Sequence, residues 1–382
     1  MIAAAIKRIV DGHDLGRDEM YDVFGQVMDG RATDVQKSAL LIALRMKGET
    51  AEEITGAALA MRERVTPIDL GAGDLRTNLV DTCGTGGDGR GTFNVSTIAA
   101  LVAAGAGANV AKHGNRAVSS SCGSADLLAA LGVQIDLDAA RMTQVLRRIG
   151  IAFLFAPKLH PAMSAVAGVR RELGVRTIFN VLGPLTNPAF ARRQVLGVYA
   201  ERLVETVARV LAALGAEHAL VVHSRDGLDE ISVSAPTRVC EVRDGQVRAY
   251  EVTPEELGLQ VHDLDALAGG DAAANANIAR EILGGANGAR QDIVVANAGA
   301  ALYVAGLAPT IRDGVALARE SIASGRALQK LEELVGATNE IPRGSSGSSE
   351  FLGGTPGEER QRGSHPEEPR GTEEPRGTGD PQ

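Results

Sequence analysis

The sequence predicts an α/β protein with a small helical domain at its N-terminus, and three observations carry that expectation. The opening stretch, to about residue 65, shows only the period of helices. From about Asn78 the chain alternates short apolar runs, glycine-rich loops and helical stretches, the grammar of repeated strand–loop–helix units. After Pro342 apolar residues give way to Gly, Ser, Pro, Glu and Arg. A chain of 382 residues with 44% apolar content can bury a sizeable core, so two folded units and a tail fit its length.

In the first unit, Met20, Val23, Phe24, Val27 and Met28 share one helical face, and Gly30 ends the segment. Thr33 with Gln36, then Thr50 with Glu53, are capping-box pairs that open two further helices. In the second unit, Leu79–Asp81 reads as a strand, Ser96–Ala104 as a helix, Asn109–Ala111 as a strand and Ala125–Leu131 as a helix. Arg141–Arg148 is helical, Ile151–Phe155 extended, Leu203–Leu214 helical and His218–Val222 extended. Val239–Val242 and Gln246–Val252 flank Asp244-Gly245, a hairpin signal, so the sheet carries an antiparallel excursion. From Asp271 to about Val335 the pattern is mostly helical. These readings give a helical domain over residues 1–72, an α/β domain over 73–342 and a disordered tail over 343–382. The tail contains the repeated hexamer Glu-Glu-Pro-Arg-Gly-Thr, and its composition buries too little apolar surface to offset the entropy of ordering.

Composition excludes several functions. The net charge is −9 with no basic block, and aromatic residues are only 3% of the chain with no Trp, so nucleic-acid and membrane-surface binding are not expected. Cys83, Cys122 and Cys240 are scattered and odd in number, which argues against a disulfide framework or zinc site and fits a reducing cytoplasm. No run approaches the roughly 20 apolar residues of a transmembrane helix, and the first residues lack a signal-peptide pattern.

Two loops carry the chemistry. Asp81-Thr-Cys-Gly-Thr-Gly-Gly-Asp88-Gly-Arg-Gly-Thr-Phe-Asn-Val-Ser96-Thr97 runs from a strand into a helix. Its glycines let the backbone approach a bulky anion, and the following helix adds its free N–H groups and positive end, which suits a pyrophosphate. No Gly-Lys-Ser/Thr follows, so this is not a Walker A loop. The second loop, Lys112-His113-Gly114-Asn115-Arg116-Ala-Val-Ser119-Ser120-Ser121-Cys122-Gly123-Ser124-Ala-Asp126, offers cations, an amide and hydroxyls for a phosphorylated sugar. Each loop alone could be an ordinary polar connection. Two at the ends of neighbouring strands share the edge where α/β sheets bind ligands.

These loops closely resemble the signature loops of the anthranilate phosphoribosyltransferase family. So do His160-Pro-Ala-Met163 with Arg170-Arg-Glu-Leu-Gly-Val-Arg176-Thr-Ile-Phe-Asn180-Val-Leu-Gly-Pro184-Leu-Thr-Asn-Pro188, and Asp226-Gly-Leu-Asp229-Glu230. The resemblance spans roughly residues 1–340, leaving out only the tail. It implies a fold of the nucleoside phosphorylase/phosphoribosyltransferase type, a homodimer formed through the helical part, and a segment near 160–188 at the hinge between domains. The implied reaction is transfer of the phosphoribosyl group of phosphoribosyl pyrophosphate (PRPP) to anthranilate with Mg²⁺, in tryptophan biosynthesis.

By the same resemblance, PRPP is expected at Gly84, Gly87, Asp88, Thr92, Asn94, Val95, Ser96, Thr97 and Lys112. It continues over the run His113, Gly114, Asn115, Arg116, Ala117, Val118, Ser119 and Ser120, and at Ser124. Anthranilate is expected at Gly84, Asn115 and Arg170, and the metal at Ser96, Asp229 and Glu230. Cys122 stands where the family commonly has Ser, a mild departure. The chemistry suits these residue types. Pyrophosphate leaves as ribose C1 gains positive charge, and Mg²⁺ held by a hydroxyl and carboxylates neutralises the leaving group. A guanidinium fork fits the anthranilate carboxylate, although only the resemblance separates Arg170 from Arg171 and Arg176. The amine is nucleophilic when neutral, so positioning outweighs general-base catalysis, and no residue is assigned as general acid or base. Three rivals remain: a pyrimidine nucleoside phosphorylase, a non-enzymatic nucleic-acid-binding relative, and a phosphoribosyltransferase for another aromatic acceptor. The acidic charge and the Asp229-Glu230 pair count against the first two.

Overall fold

The structure is a computed structural model and describes residues 1–71, 73–117 and 121–340. The tail expected from residue 343 lies outside these residues. Four helices open the chain: α1 (Ile2–Val10), α2 (Arg17–Met28), α3 (Asp34–Lys47) and α4 (Ala51–Arg62). Thr33 and Thr50 each accept from the backbone N–H three residues on, and Gln36 and Glu53 reach back to the cap N–H, so both capping boxes form as the sequence predicts. Gly56 of α4 lies against α2, where a Cβ would come within 2.2 Å of the Arg17 carbonyl. Only glycine allows that crossing.

The remaining elements are β1 (Leu79–Asp81), α5 (Val95–Gly105), β2 (Asn109–Gly114), α6 (Ser124–Ala130), α7 (Ala139–Ile149), β3 (Ile151–Phe155), α8 (Ala156–Leu159), α9 (Ser164–Leu173) and α10 (Phe179–Leu182). They continue with β4 (Arg193–Gly197), α11 (Leu203–Ala213), β5 (His218–Ser224), β6 (Thr237–Arg243), β7 (Gln246–Val252) and the helices α12 (Ala272–Leu283), α13 (Ala289–Val304), α14 (Ile311–Ala323) and α15 (Arg326–Asn339). The strands form one sheet in the order β3-β2-β1-β4-β5-β6-β7. The first five are parallel, and β6 and β7 add antiparallel. Asp244 and Gly245 both take positive φ (50° and 77°), the backbone that a two-residue hairpin turn requires.

Two differences from the sequence reading bear on function. Strand β2 runs three residues past Ala111, because Lys112, His113 and Gly114 pair with Phe153, Leu154 and Phe155 of β3. Lys112 and His113 are therefore held on a central strand and buried, not carried on a loop. Strand β4, hidden by the charged pair Arg192-Arg193 at its start, sits beside β1. Successive strands run outward from β1 in one direction and from β4 in the other, so the connections leaving β1 and β4 diverge and open a crevice at their C-terminal ends.

The sheet divides the core. Leu220 and Val222 of β5 join the large cluster around α5 and α13, while Ala219 and Val221 join a second cluster with α1–α4, α9, α10 and α11. This period-2 alternation buries both faces of β5. Val166 and Val169 of α9 and Phe179 of α10 belong to the helical cluster, and the Phe24 and Phe179 rings lie 5.6 Å apart. The segment bearing Arg170 is thus packed on the N-terminal helices by apolar side chains.

Candidate active site

The glycine-rich loop leaving β1 is fastened from several sides. The Thr85 N–H donates to the Gly197 carbonyl at 2.8 Å, and the Tyr199 N–H donates to Thr85 Oγ1 at 3.0 Å. The Arg176 guanidinium donates to the Gly87 carbonyl, and the Asp229 N–H lies 3.4 Å from Asp88 Oδ2. Close approach explains two glycines. A Cβ on Gly84 would meet the Gly197 carbonyl at 2.9 Å, and one on Gly197 would overlap the Asp229 carbonyl at 1.5 Å. The loops after β1, β4 and β5 therefore meet backbone to backbone; within the Gly86–Gly89 arch the Gly86 N–H is directed at the Asp229 carboxyl, and the Asp88 N–H makes no hydrogen bond among the described residues.

Behind the arch, α5 begins at the Asn94 cap, and the Ser96 N–H donates to Glu230 Oε1 at 3.2 Å. Lys112 Nζ reaches the Thr82 carbonyl at 3.2 Å and Ser96 Oγ at 3.5 Å. Asn94 is held by the Cys122 carbonyl and by Asn275, each at 3.0 Å. Thr92 bridges to Ala268, while Val95 and Thr97 are buried in the base of the helix. Asp229 and Glu230, in the loop after β5, are partly buried. Burial, then repulsion from Asp88, raises the Asp229 pKa; burial, then repulsion from Asp229, raises that of Glu230. Lys112 offsets this for Glu230. Three acids crowded together with one nearby ammonium are a donor set that fits a hard divalent cation held through oxygen, and Ser96 Oγ adds a hydroxyl. Asp88 is the member of this group that the sequence reading placed only with PRPP.

Asp81 ties the two loops together. Its Oδ1 accepts from the Cys83 N–H at 3.0 Å and the His113 N–H at 3.2 Å, and its Oδ2 accepts from Asn187 Nδ2 at 2.7 Å. Burial raises its pKa to about 6, against the pull of Lys112, Asn187 and the two N–H donors. The ligand atoms of Asp81, Cys83 and His113 come within 4.8 Å of one another. The Asp81 oxygens are already committed to these three donors, and burial pushes the Cys83 thiol up to about 12, so this cluster is a latch and not a metal centre. Neither Asp81 nor Asn187 carried a role in the sequence reading, since the strand-end Asp looks like part of the glycine motif.

After β2, Gly114 has no room for a Cβ, which would lie 2.2 Å from Ser124 Oγ. Ser124 Oγ and the Ala125 N–H both donate to the Asn115 carbonyl at 3.1 Å. Arg116 pairs with Asp126 at 2.8 Å, and Asp126 also accepts from the Ala117 and Gly123 N–H groups. Arg116 is thus engaged in holding its own loop. Val118, Ser119 and Ser120 lie outside the described residues.

At the end of β2, His113 Nε2 lies 3.0 Å from His160 Nε2, at the start of the segment that carries Arg170. Burial lowers both pKa values, that of His113 further through His160 and Lys112, and that of His160 to about 4, so the pair is neutral near pH 7 and one ring donates to the other. Arg170 lies over the Phe179 ring, 5.2 Å from its centroid, and desolvation lowers its pKa. Among the described residues no carboxylate pairs with it. A half-buried guanidinium without an anion is an unmet demand for one. A cavity of about 670 Å³ lies elsewhere, at the opposite end of β4 and β5, with Arg193, Glu217 and His218 among its lining. There Arg193 pairs with Glu217 and the His218 ring hydrogen-bonds Glu241, and the glycine loops lie at the other end of the strands.

Known proteins align with this arrangement along nearly the whole chain. A glycosyl transferase family helical bundle domain matches residues 3–65, and a glycosyl transferase family a/b domain matches residues 76–328. An anthranilate phosphoribosyltransferase of Anaeromyxobacter sp. (strain K) is 59% identical over 338 residues, covering 88% of this chain and 99% of its own. The chain belongs to the anthranilate phosphoribosyltransferase family. The crystal structure of the Thermus thermophilus enzyme superposes with a TM-score of 0.82 at 47% identity, covering 88% of this chain and 99% of that one. The Saccharomyces cerevisiae enzyme in complex with PRPP and Mg gives a TM-score of 0.80 at 30% identity, covering 88% and 97% of the two chains. The helical N-terminal part and the larger α/β part predicted from the sequence are the two parts of this family.

Proposed function

We propose that the chain transfers the phosphoribosyl group of PRPP to the amine of anthranilate, giving N-(5-phosphoribosyl)anthranilate and pyrophosphate in tryptophan biosynthesis. The observation that carries the reading is the junction of the Gly86–Gly89 arch with the crowded carboxylates Asp88, Asp229 and Glu230 at the sheet crevice. In the reaction the C1–O bond to pyrophosphate breaks, the amine nitrogen bonds to C1, and the amine proton passes to solvent or pyrophosphate. The arch amides and Lys112 hold the leaving group, while Ser96, Asp229 and Glu230 would hold the metal. Bound Mg²⁺ supplies charge neutralisation of the pyrophosphate. Arg170 holds the acceptor carboxylate, and Asn115 with the neutral His113–His160 pair orients the ring without adding a charge. Gly84, Gly87, Thr92, Asn94, Val95, Thr97, Gly114, Arg116, Ala117 and Ser124 complete the PRPP wall.

We extend the reading to a homodimer formed through the helical part. Val10, Val35 and Met46 of α1 and α3 are 69%, 80% and 82% exposed, an apolar set that a second copy would cover. A cytoplasmic setting goes with the family's chemistry, and no helix among the described residues is long and apolar enough to cross a membrane.

The test is the loss of anthranilate fluorescence on mixing the protein with anthranilate, PRPP and Mg²⁺, with each component omitted in turn. Decay that needs all three is the expected result. No decay with PRPP still binding in a calorimeter would move the acceptor assignment to another aromatic, and no binding of PRPP would overturn the reading.

A further inference from the structure

We propose that Arg176, stacked on Tyr199, is a positioning residue that aims the amide of Asp88 at the pyrophosphate; the proposal rests on PRPP occupying the glycine arch. The local chain explains how Arg176 gets there. Helix α9 ends at Gly174 in the left-handed conformation (φ 61°), and the chain then turns back so that the Arg176 guanidinium reaches across to the loop after β1. It donates to the Gly87 carbonyl and lies 4.5 Å from the centroid of the Tyr199 ring. Among the described residues it pairs with no carboxylate, so an exposed arginine gives its fork to a backbone carbonyl and an aromatic face.

The peptide plane converts that contact into alignment. The Gly87 carbonyl and the Asp88 N–H belong to one rigid amide and point in opposite directions. Anchoring the carbonyl on Arg176 turns the N–H to the other side of the loop. The Asp88 N–H makes no hydrogen bond among the described residues, so it is available to a phosphate oxygen. Without the anchor, the positive-φ glycines Gly86, Gly87 and Gly89 leave this amide free to rotate. Tyr199 closes the arrangement, since its own N–H donates to Thr85 Oγ1 and its ring supports the guanidinium. Thr85, Tyr199, Arg176 and Gly87 form a closed ring of contacts around the arch. Arg176 lies six residues after Arg170, so the segment that carries the acceptor arginine also steadies the donor loop.

The experiment is steady-state kinetics with both substrates varied, and calorimetric titration with PRPP and Mg²⁺, on the wild-type chain and on Arg176→Ala, Arg176→Lys, Tyr199→Leu and Tyr199→Phe. The expected result is an approximately tenfold rise in the PRPP KM and Kd for Arg176→Ala and a smaller rise for Tyr199→Leu, the scale of one charge-assisted contact with its ring support. The anthranilate KM stays within about twofold, because no acceptor contact is removed. Tyr199→Phe, which keeps the ring, behaves as wild type, and Arg176→Lys recovers part of the loss. Unchanged PRPP affinity in Arg176→Ala overturns the clamp while leaving the function standing. A loss in Arg176→Ala with Tyr199→Leu silent also overturns it, since Arg176 would then touch the substrate itself. Failure of the wild-type chain to bind PRPP overturns the reading of the arch, and the clamp with it. Melting curves for each variant separate these outcomes from unfolding.

Discussion

The proposed donor and acceptor halves of the site crowd ionisable groups of opposite sign: acids whose burial and mutual repulsion favour the protonated form on one side, and a desolvated guanidinium on the other. On the donor half, Asp88, Asp229 and Glu230 crowd one another, and the protons of Asp229 and Glu230 are held more tightly than in water. On the proposed acceptor half, Arg170 is desolvated over Phe179 with no carboxylate partner among the described residues, and His160, ten residues before it in the chain, is neutral together with His113. Each half is strained without a ligand and relieved by one, a cation in the first and an anion in the second. Electrostatic preorganisation of this kind costs stability in the free protein and favours complementary ligands when they arrive.

Removing the donor-side acids should break this contrast most severely. Asp229→Ala with Glu230→Ala is expected to lower Mg²⁺-dependent turnover by on the order of a thousandfold or more, the scale of losing the electrostatic support of the leaving group. The same variant should melt no lower than wild type without Mg²⁺, because mutual repulsion is gone, and should lose the rise in Tm that Mg²⁺ and PRPP give the wild type. Near-normal activity would show that these carboxylates do not hold the metal.

Arg170→Ala tests the other half, with a smaller expected effect. A charge-assisted, partly buried contact contributes about 1.5–3 kcal/mol, so the anthranilate KM should rise roughly ten- to a hundredfold while the PRPP KM stays near wild type. A loss confined to PRPP would place Arg170 on the wrong substrate. The comparison with Arg176→Ala sharpens the point, since the two arginines share one segment and are assigned to different substrates.

The donor half was far more legible in the sequence than the acceptor half, for physical reasons. Gly84, Gly86, Gly87 and Gly89 are needed for local backbone geometry, so their meaning lies within a few residues of chain. The capping boxes at Thr33 and Thr50 and the Asp244-Gly245 turn are local in the same way and form as read. What escaped depended on contacts distant in sequence. Asp81 and Asn187 are 106 residues apart, and nothing near Asn187 announces that it satisfies a buried carboxylate. Arg170 and Arg176 look alike as helix-region arginines, and only tertiary packing gives them Phe179 and Tyr199 as platforms. Lys112 and His113 read as loop residues because the run that marks their strand ends at Ala111; pairing with β3 extends it.

The neutral histidine pair gives the smallest effect, seen in stability against pH. Burial lowers the pKa of His160 to about 4 from an ordinary value near 6.5, and that of His113 also falls, so the unfolded chain takes up protons that the folded chain refuses in this window. The unfolded state binds more protons there, so stability rises with pH between about 4 and 6.5 and the contribution is fully present above that range. Asp81 acts in the opposite sense: its carboxyl is raised to about 6, so the folded state holds its proton longer, and stability from this group falls as pH rises from about 4 to 6. The two slopes partly cancel in the wild type. His160→Gln keeps a polar group beside His113 and removes one term, so its melting temperature should depend less steeply on pH on the acid side than that of the wild type, with the curves parallel above about pH 7. If both proteins show the same acid slope, His160 is not held neutral by its burial, and Arg170 is not the sole source of positive charge in this half.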